Sequence, residues 1–203
     1  LFLRAREAQE LSERAAARSK AVTEFLSKDA FAAVSSGSES VKNLRVAELL
    51  TRAGKRIDAR FEDQPDVASE LHYVIGRSLR EFYQTGAAAD HFNRALELGR
   101  QLKGEGSEAA LRSAAELVYI DYALGRLPKT IASHEATLLA GRIGLETHNK
   151  AVLNLREQLA LGHYMLGNWT QSVRELEAVL ADVAAAGIDD AMISGRARLY
   201  LGQ

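Results

Sequence analysis

Apolar side chains between Leu71 and Leu201 return to the same phase every 42 residues. The step joins Ile75, Leu117, Leu159 and Leu201, then Phe82, Leu124 and Leu166, then Leu96, Leu138 and Leu180. Smaller residues keep the register, with Ala88, Thr130 and Ser172 in one column and Gly76, Val118 and Ala160 in another. Several independent columns in one frame identify an internal repeat of stacked supersecondary units. Inside each period the apolar residues recur at three- and four-residue spacings, which predicts two amphipathic helices per unit.

Punctuating residues mark where those helices start and stop. Pro65 suits the first turn of a helix running to about Phe82, because proline lacks only an amide hydrogen that would be orphaned there anyway. Gly86 falls in the turn expected before a second helix, which runs to about Leu102. A helix from about Ser107 is expected to stop at Gly125, and Pro128 to open its partner, which reaches about Gly141. The third unit reads as a helix from about Asn149 to Leu166, followed by Asn168 and Gln171 at the spacing of a capping box. That second helix should end near Gly187, and residues 191–202 begin a fourth unit. Trp169 stands where Leu127 stands one unit earlier and is expected to pack the hairpin shut. Gly76, Ala88 and Ala95 let helix axes approach, while Leu79 and Phe92 fill the space between them.

The N-terminal third is less regular. Residues 1–34 read as one long helix, of which residues 1–20 form a charged, alanine-rich spacer. A coiled coil there would align Leu11, Ala15, Arg18 and Val22, a seam spoiled by a charge where an apolar residue belongs. From Val22 the face improves through Phe25, Leu26, Phe31 and Val34, before residues 35–38, Ser-Ser-Gly-Ser, break the pattern. A helix over about 45–61 follows, with Val46, Leu49, Leu50, Ala53, Ile57 and Phe61 on one face. The expected organisation is a spacer at 1–20 and a repeat domain at 21–203. Within it lie a divergent hairpin at 21–62, repeats at about 65–104, 107–145 and 149–187, and a partial fourth at 190–203.

Composition sharpens this picture. With 47% hydrophobic residues and only 2 prolines among 203, the chain can bury a large all-helical core. Its 26 basic and 27 acidic residues nearly cancel, which argues against a nucleic-acid groove in this segment. There is no cysteine, so disulfides, thiol catalysis and cysteine-bound zinc are excluded. No run of 18 apolar residues occurs, and the opening lacks the pattern of a signal peptide. A first residue that is leucine rather than methionine suggests a piece of a longer protein.

Candidate chemistry is sparse. His72, His91, His134, His148 and His163 include no His-x-x-x-His or His-Glu-x-x-His pair on one helix face. Asp121, His134 and His163 occupy large-residue positions of the repeat and could meet between units, as a metal or acid/base site or as buried partners satisfying one another. No Gly-x-Ser-x-Gly elbow and no glycine-rich phosphate loop is present. The reading is non-enzymatic, with no cofactor and no assigned metal.

The first unit carries Ile75-Gly76, Leu79, Ala88, Phe92 and Ala95, and in these positions it resembles the tetratricopeptide repeat in a 42-residue form. In the later units Asp121 and His163 replace a large residue, and Thr130 and Ser172 replace an alanine. The resemblance implies an all-α, right-handed solenoid of stacked antiparallel hairpins. In that register the first helix of each unit lines a concave wall. Tyr73, Arg77 and Arg80 would come from the first unit, Arg112, Tyr119 and Tyr122 from the second, and Asn154, Glu157, Gln158, Leu161 and Tyr164 from the third. Tyrosines and arginines suit an extended protein or peptide ligand, since rings give area at low entropy cost and guanidinium groups grip carbonyls or carboxylates.

A second resemblance spans about residues 20–100. Ala21-Val22, Phe25-Leu26, Asp29, Phe31, Leu49-Leu50, Ile57-Asp58, Arg60-Phe61, Gln64-Pro65 and Ile75-Gly76 are similar to the extracytoplasmic part of bacterial membrane-anchored signalling proteins. That type carries a cytoplasmic winged-helix DNA-binding domain or a serine/threonine kinase, and the Phe-Leu-x-x-Asp and Arg-Phe-x-x-Gln-Pro spacings favour the winged-helix regulator. The resemblance implies a periplasmic sensory domain, joined to the membrane only through an upstream helix and able to form a homodimer. A soluble cytoplasmic adaptor and a small-molecule or metal sensor are the alternatives.

Overall fold

A computed structural model of the chain describes residues 39–188 and 191–202, together with Glu13, Ala16, Ala17, Lys20, Ala21, Thr23 and Glu24, all helical. Most of the expected N-terminal helix, including the heptad positions Leu11, Ala15, Arg18 and Val22, and the break at residues 35–38 lie outside the described residues. Every regular element among the described residues is a helix. They are α1 (Glu39–Gly54), α2 (Ile57–Arg60), α3 (Pro65–Glu81), α4 (Thr85–Lys103), α5 (Glu108–Ala123), α6 (Leu127–Gly144), α7 (Lys150–Met165), α8 (Trp169–Ala185) and α9 (Ala191–Leu201).

The pairs α3/α4, α5/α6 and α7/α8 form the three antiparallel hairpins that the 42-residue step foreshadows. Each is closed by the same backbone device. Gln84, Arg126 and Asn168 donate their amides to the carbonyls of Leu79, Asp121 and His163, and Tyr83, Gly125 and Gly167 donate to Arg80, Tyr122 and Tyr164. This is the six-to-one and five-to-two bonding that ends a helix on a left-handed residue. That residue has φ 58° at Tyr83, 69° at Gly125 and 81° at Gly167, so the first unit asks a tyrosine to do what glycine does at no steric cost. Helix starts are set by Pro65, by Ser107, whose hydroxyl accepts from the Ala110 amide, and by Asn149, whose side chain accepts from Ala151.

The hairpins stack into an α-solenoid around one main core, with two smaller clusters where α7 meets α8 and α9. The main core runs from Leu50 and Ile57 through Leu71, Ile75, Leu79 and Phe92 to Leu111, Leu117, Leu127 and Leu155. Phe92 sits against Gly76, where a Cβ would lie 3.0 Å from the ring, so the glycine sets how closely α3 and α4 approach. The units are joined unevenly. Between the first and second, α4 makes the main contact with α5, whereas between the second and third α5 packs directly on α7. This leaves α6 peripheral, with Leu139 and Ile143 exposed.

Four local expectations are corrected. Gly86 lies inside the first turn of α4 rather than in the turn before it. The helix expected at 45–61 is broken after Gly54 and resumes as α2; Gly54 is a weak helix former and lies against the His91 ring, which a Cβ would approach to 2.2 Å. Asn168 makes no side-chain cap, because its amide and that of Gln171 reach the His163 ring instead. Trp169 is 66% exposed while Leu127 is fully buried. Leu127 lies against Gly162 of the following unit.

A candidate partner-binding groove

The inner faces of α3, α5, α7 and α9 surround a hollow of about 380 Å³. The 42-residue step builds it, because residues one period apart come to lie side by side. Arg112 donates to Glu70 at 2.8 Å and Arg196 to Asn154 at 3.3 Å, each pair exactly one period apart in sequence. Tyr73 donates to Glu116 at 3.3 Å, and Asn149 to Glu108 at 2.6 Å, within one residue of the same step.

These bonds hold the polar side chains of the wall in fixed directions. Glu116, little exposed, takes Arg80 in an ion pair, the Tyr73 hydroxyl, and Arg77 at 3.9 Å. The Arg112 guanidinium lies 4.5 Å above the Tyr73 ring, a cation–π stack, and that ring meets Phe92 edge-on at 5.7 Å. Burial, then the neighbouring Glu116 carboxylate, pushes the Tyr73 phenol above its ordinary pKa. Arg196 grips the buried Glu157 through two bonds, of 2.9 and 2.6 Å. Lining side chains comprise five cations, Arg77, Arg80, Arg112, Lys150 and Arg196, against the carboxylates Glu108 and Glu116.

Of the residues expected on the concave wall, Tyr73, Arg77, Arg80, Arg112, Tyr119, Asn154 and Gln158 line this hollow. Tyr122 and Tyr164 do not; they lie nearer the hairpin turns, about half exposed, with the Tyr164 ring edge-on to Tyr200 at 5.2 Å. Leu161 is buried, and Glu157 is fully buried and turned to Arg196 instead of open space. Glu108, Glu116, Asn149, Lys150, Ile193 and Arg196 line the hollow without having been expected. The repeat itself names two of them, since Glu116 stands one period before Gln158 and Arg196 one period after Asn154.

The polar residues inside the hairpins form local pairs. Asp121 accepts from Arg126 at 2.8 and 3.1 Å and meets His134 at 3.0 Å. Burial raises the Asp121 pKa, but the bonds from His134 and Thr130 and the charges of His134 and Arg126 outweigh it and hold the carboxyl below its ordinary value. His163 does not join them; it bonds Glu135 at 2.9 Å and Gln171 at 3.0 Å. No group of three or more metal-ligating side chains occurs among the described residues. Where α1 and α2 meet the first full hairpin, His72 and His91 face each other, Nδ1 to Nδ1, at 2.8 Å. Burial, then the charge of His72, lowers the His91 pKa to about 4, and burial lowers that of His72 against the pull of Asp58.

No protein-family model matches the sequence, and no curated protein matches it either. Solved structures do resemble the fold. BtubC (BKLC) from P. vanneervenii superposes with a TM-score of 0.57 at 17% identity, over 74% of this chain and 60% of that one. The chain therefore spans less than two thirds of BtubC. Two crystal structures of the nearly identical TPR-like repeats of a Podospora anserina kinesin light chain align over 91% and 92% of this chain, and 96% and 98% of theirs. Their TM-scores are 0.51 and 0.53, at 16% identity. At such identities the likeness concerns architecture. The chain folds as a tetratricopeptide-like α-solenoid.

Proposed function

We propose that this chain is a non-enzymatic interaction domain that holds an extended protein or peptide segment in the concave hollow. The observation that carries the reading is the convergence of α3, α5, α7 and α9 on one cleft whose arginines and tyrosines are oriented in advance by cross-repeat bonds. Groups fixed before binding lose little entropy on contact, so more of their interaction free energy appears as affinity. The exposed guanidinium of Arg77 beside the Tyr119 ring suits a partner stretch that presents carboxylates or bare backbone carbonyls.

The reading extends to a sensory role outside the cytoplasm, in a membrane-anchored transcriptional regulator. It rests there on the similarity of residues 20–100 to such proteins. Occupancy of the hollow would act on the output only by favouring one arrangement of the N-terminal helix over another. A soluble adaptor would show the same capture with no dependence on that helix.

The test uses peptides selected by display on the immobilised chain. Arg77, whose side chain is 55% exposed and which shares Glu116 with Arg80, and Tyr119, 51% exposed, offer the accessible contacts. Arg77→Glu with Tyr119→Ala is expected to weaken capture by tenfold or more, about 1.4 kcal/mol, with helicity by circular dichroism unchanged. Undiminished capture by a folded double variant would remove the hollow from the account.

A further inference from the structure

A second and larger hollow, about 720 Å³, opens where the turn at 104–107 meets the ends of α4 and α6. Its wall is apolar, built from Leu102, Ala109, Ala140, Ile143 and Leu145. Two of these are conspicuous elsewhere as exposed surface, Ile143 at 82% and Leu102 at 39%. An occupant that covered them would bury apolar area, and the volume falls within the range of roughly 300–1,000 Å³ typical of small-molecule sites.

The floor of this hollow is closely packed. A Cβ on Gly106 would fall 2.2 Å from the backbone of Ala140 and Gly141, so the turn is seated directly on α6. The Ser107 hydroxyl donates to the Gly99 carbonyl at 2.8 Å and also caps α5, tying the turn to α4 as well. A site with a packed floor does not have to be created by its ligand.

Charge selects the ligand. Four carboxylates, Asp66, Glu70, Glu105 and Glu108, border the hollow against Lys103 and Arg112. Arg112 is committed to Glu70 and to the Tyr73 ring, and Arg100 takes Glu105 at 2.9 Å. Glu108 accepts from the neutral amide of Asn149, so Asp66 and Glu108 have no ion-pair partner among the described residues and outnumber Lys103, the remaining cation of the lining. The C-terminal ends of α4 and α6 and the first turns of α3 and α5 all border this space, so the helix dipoles oppose one another there and the side-chain carboxylates set the sign of the charge.

We propose that this hollow binds a small organic cation with an apolar body, an aryl- or alkyl-ammonium. The ammonium lies at Asp66 and Glu108, and the body covers Leu102 and Ile143. The site is separate from the concave groove in what it recognises, although Glu108 and Arg112 border both.

The probe is 4-phenylbutylamine, titrated into the isotope-labelled chain and followed by amide shifts and calorimetry. The comparison ligands are 4-phenylbutanol and 4-phenylbutyrate, which keep the body and change the head. Saturable binding of the amine is expected, with shifts at residues 102–109 and 140–145. The alcohol and the carboxylate should bind about tenfold more weakly or worse. Asp66→Asn with Glu108→Gln should erase the preference for the amine. Gly144→Phe should weaken amine and alcohol together by filling the hollow; a Cβ there meets nothing within 4 Å, so the fold has room for it. Any of three results overturns the proposal: no saturable binding of the amine below about 1 mM, carboxylate binding equal to amine binding, or unchanged binding to a folded Gly144→Phe variant.

Discussion

One period along the chain, two buried positions change from Leu79 and Phe92 in the first full hairpin to Asp121 and His134 in the second. The backbone device that closes the hairpin is the same in both. In the first, α3 and α4 are held across that point by close packing of Leu79 and of Phe92 against Gly76. In the second, an ionic and hydrogen-bonded cluster of Asp121, His134 and Arg126 takes the place of that contact. The repeat therefore fixes geometry and leaves the chemistry of the core free, provided each polar substitution brings its partner.

The comparison can be broken most severely from either side. Phe92→Ala removes a fully buried ring and should cost about 3–5 kcal/mol in denaturant unfolding. Asp121→Ala should cost about 1–3 kcal/mol, because it leaves the buried His134 without its hydrogen-bond partner, while Arg126, 44% exposed, turns to solvent. Asp121→Leu combined with His134→Leu replaces the polar cluster by an apolar contact of the first hairpin's kind, with leucine in place of a ring because Val118 stands where Gly76 makes room for Phe92. That double variant should be as stable as the parent chain, or more stable by roughly 1–4 kcal/mol. If the double variant falls as far as Asp121→Ala, the two hairpins are not interchangeable and the comparison fails.

Acid separates two other regions. The His72–His91 pair is held neutral, with folded pKa values below those of the unfolded chain. The unfolded state therefore takes up protons first, and stability is lost as pH falls from about 6.5 towards 4. Asp58, beside His72 at 3.5 Å and bound to Arg94 at 3.0 Å, tempers this loss without reversing it. Asp121, depressed below 3.8, keeps its contribution until lower pH. Hydrogen exchange should consequently open α1 and the start of α3 before the α5/α6 hairpin. Replacing both histidines by leucine should flatten the upper window and leave the lower one. Simultaneous opening of both regions would contradict the separation.

The smallest effect concerns the turns. Tyr83, 91% exposed, holds the left-handed conformation that Gly125 and Gly167 hold in the other units. Tyr83→Gly should raise stability by about 0.5–1 kcal/mol, the relief of that conformation less the added freedom of glycine in the unfolded chain. A loss of stability would mean that the exposed ring makes a contact worth more than the strain.

Much of the architecture was legible because the period acts through several columns at once, and a helix-ending turn at 83, 125 and 167 leaves glycine in two of three copies. Buried polar pairs were only partly legible. Their columns grouped Asp121, His134 and His163 as meeting between units, but Asp121 and His134 meet inside one hairpin and His163 turns to Glu135, a choice set by side-chain reach and not by spacing. The groove was harder still. Periodicity gives the inner face of a helix, and Glu157 and Gln158 are neighbours on that face; which one is buried depends on Arg196 arriving from the next unit.

The central claim is that residues one period apart assemble a wall that receives an extended partner. Backbone amide shifts of the isotope-labelled chain, titrated with a display-selected peptide, test it most directly. The largest changes are expected at Tyr73, Arg77, Arg112, Glu116, Tyr119, Asn154 and Gln158, in a single contiguous stripe across α3, α5 and α7. Changes confined to α4, α6 and α8, with the stripe silent, would contradict it.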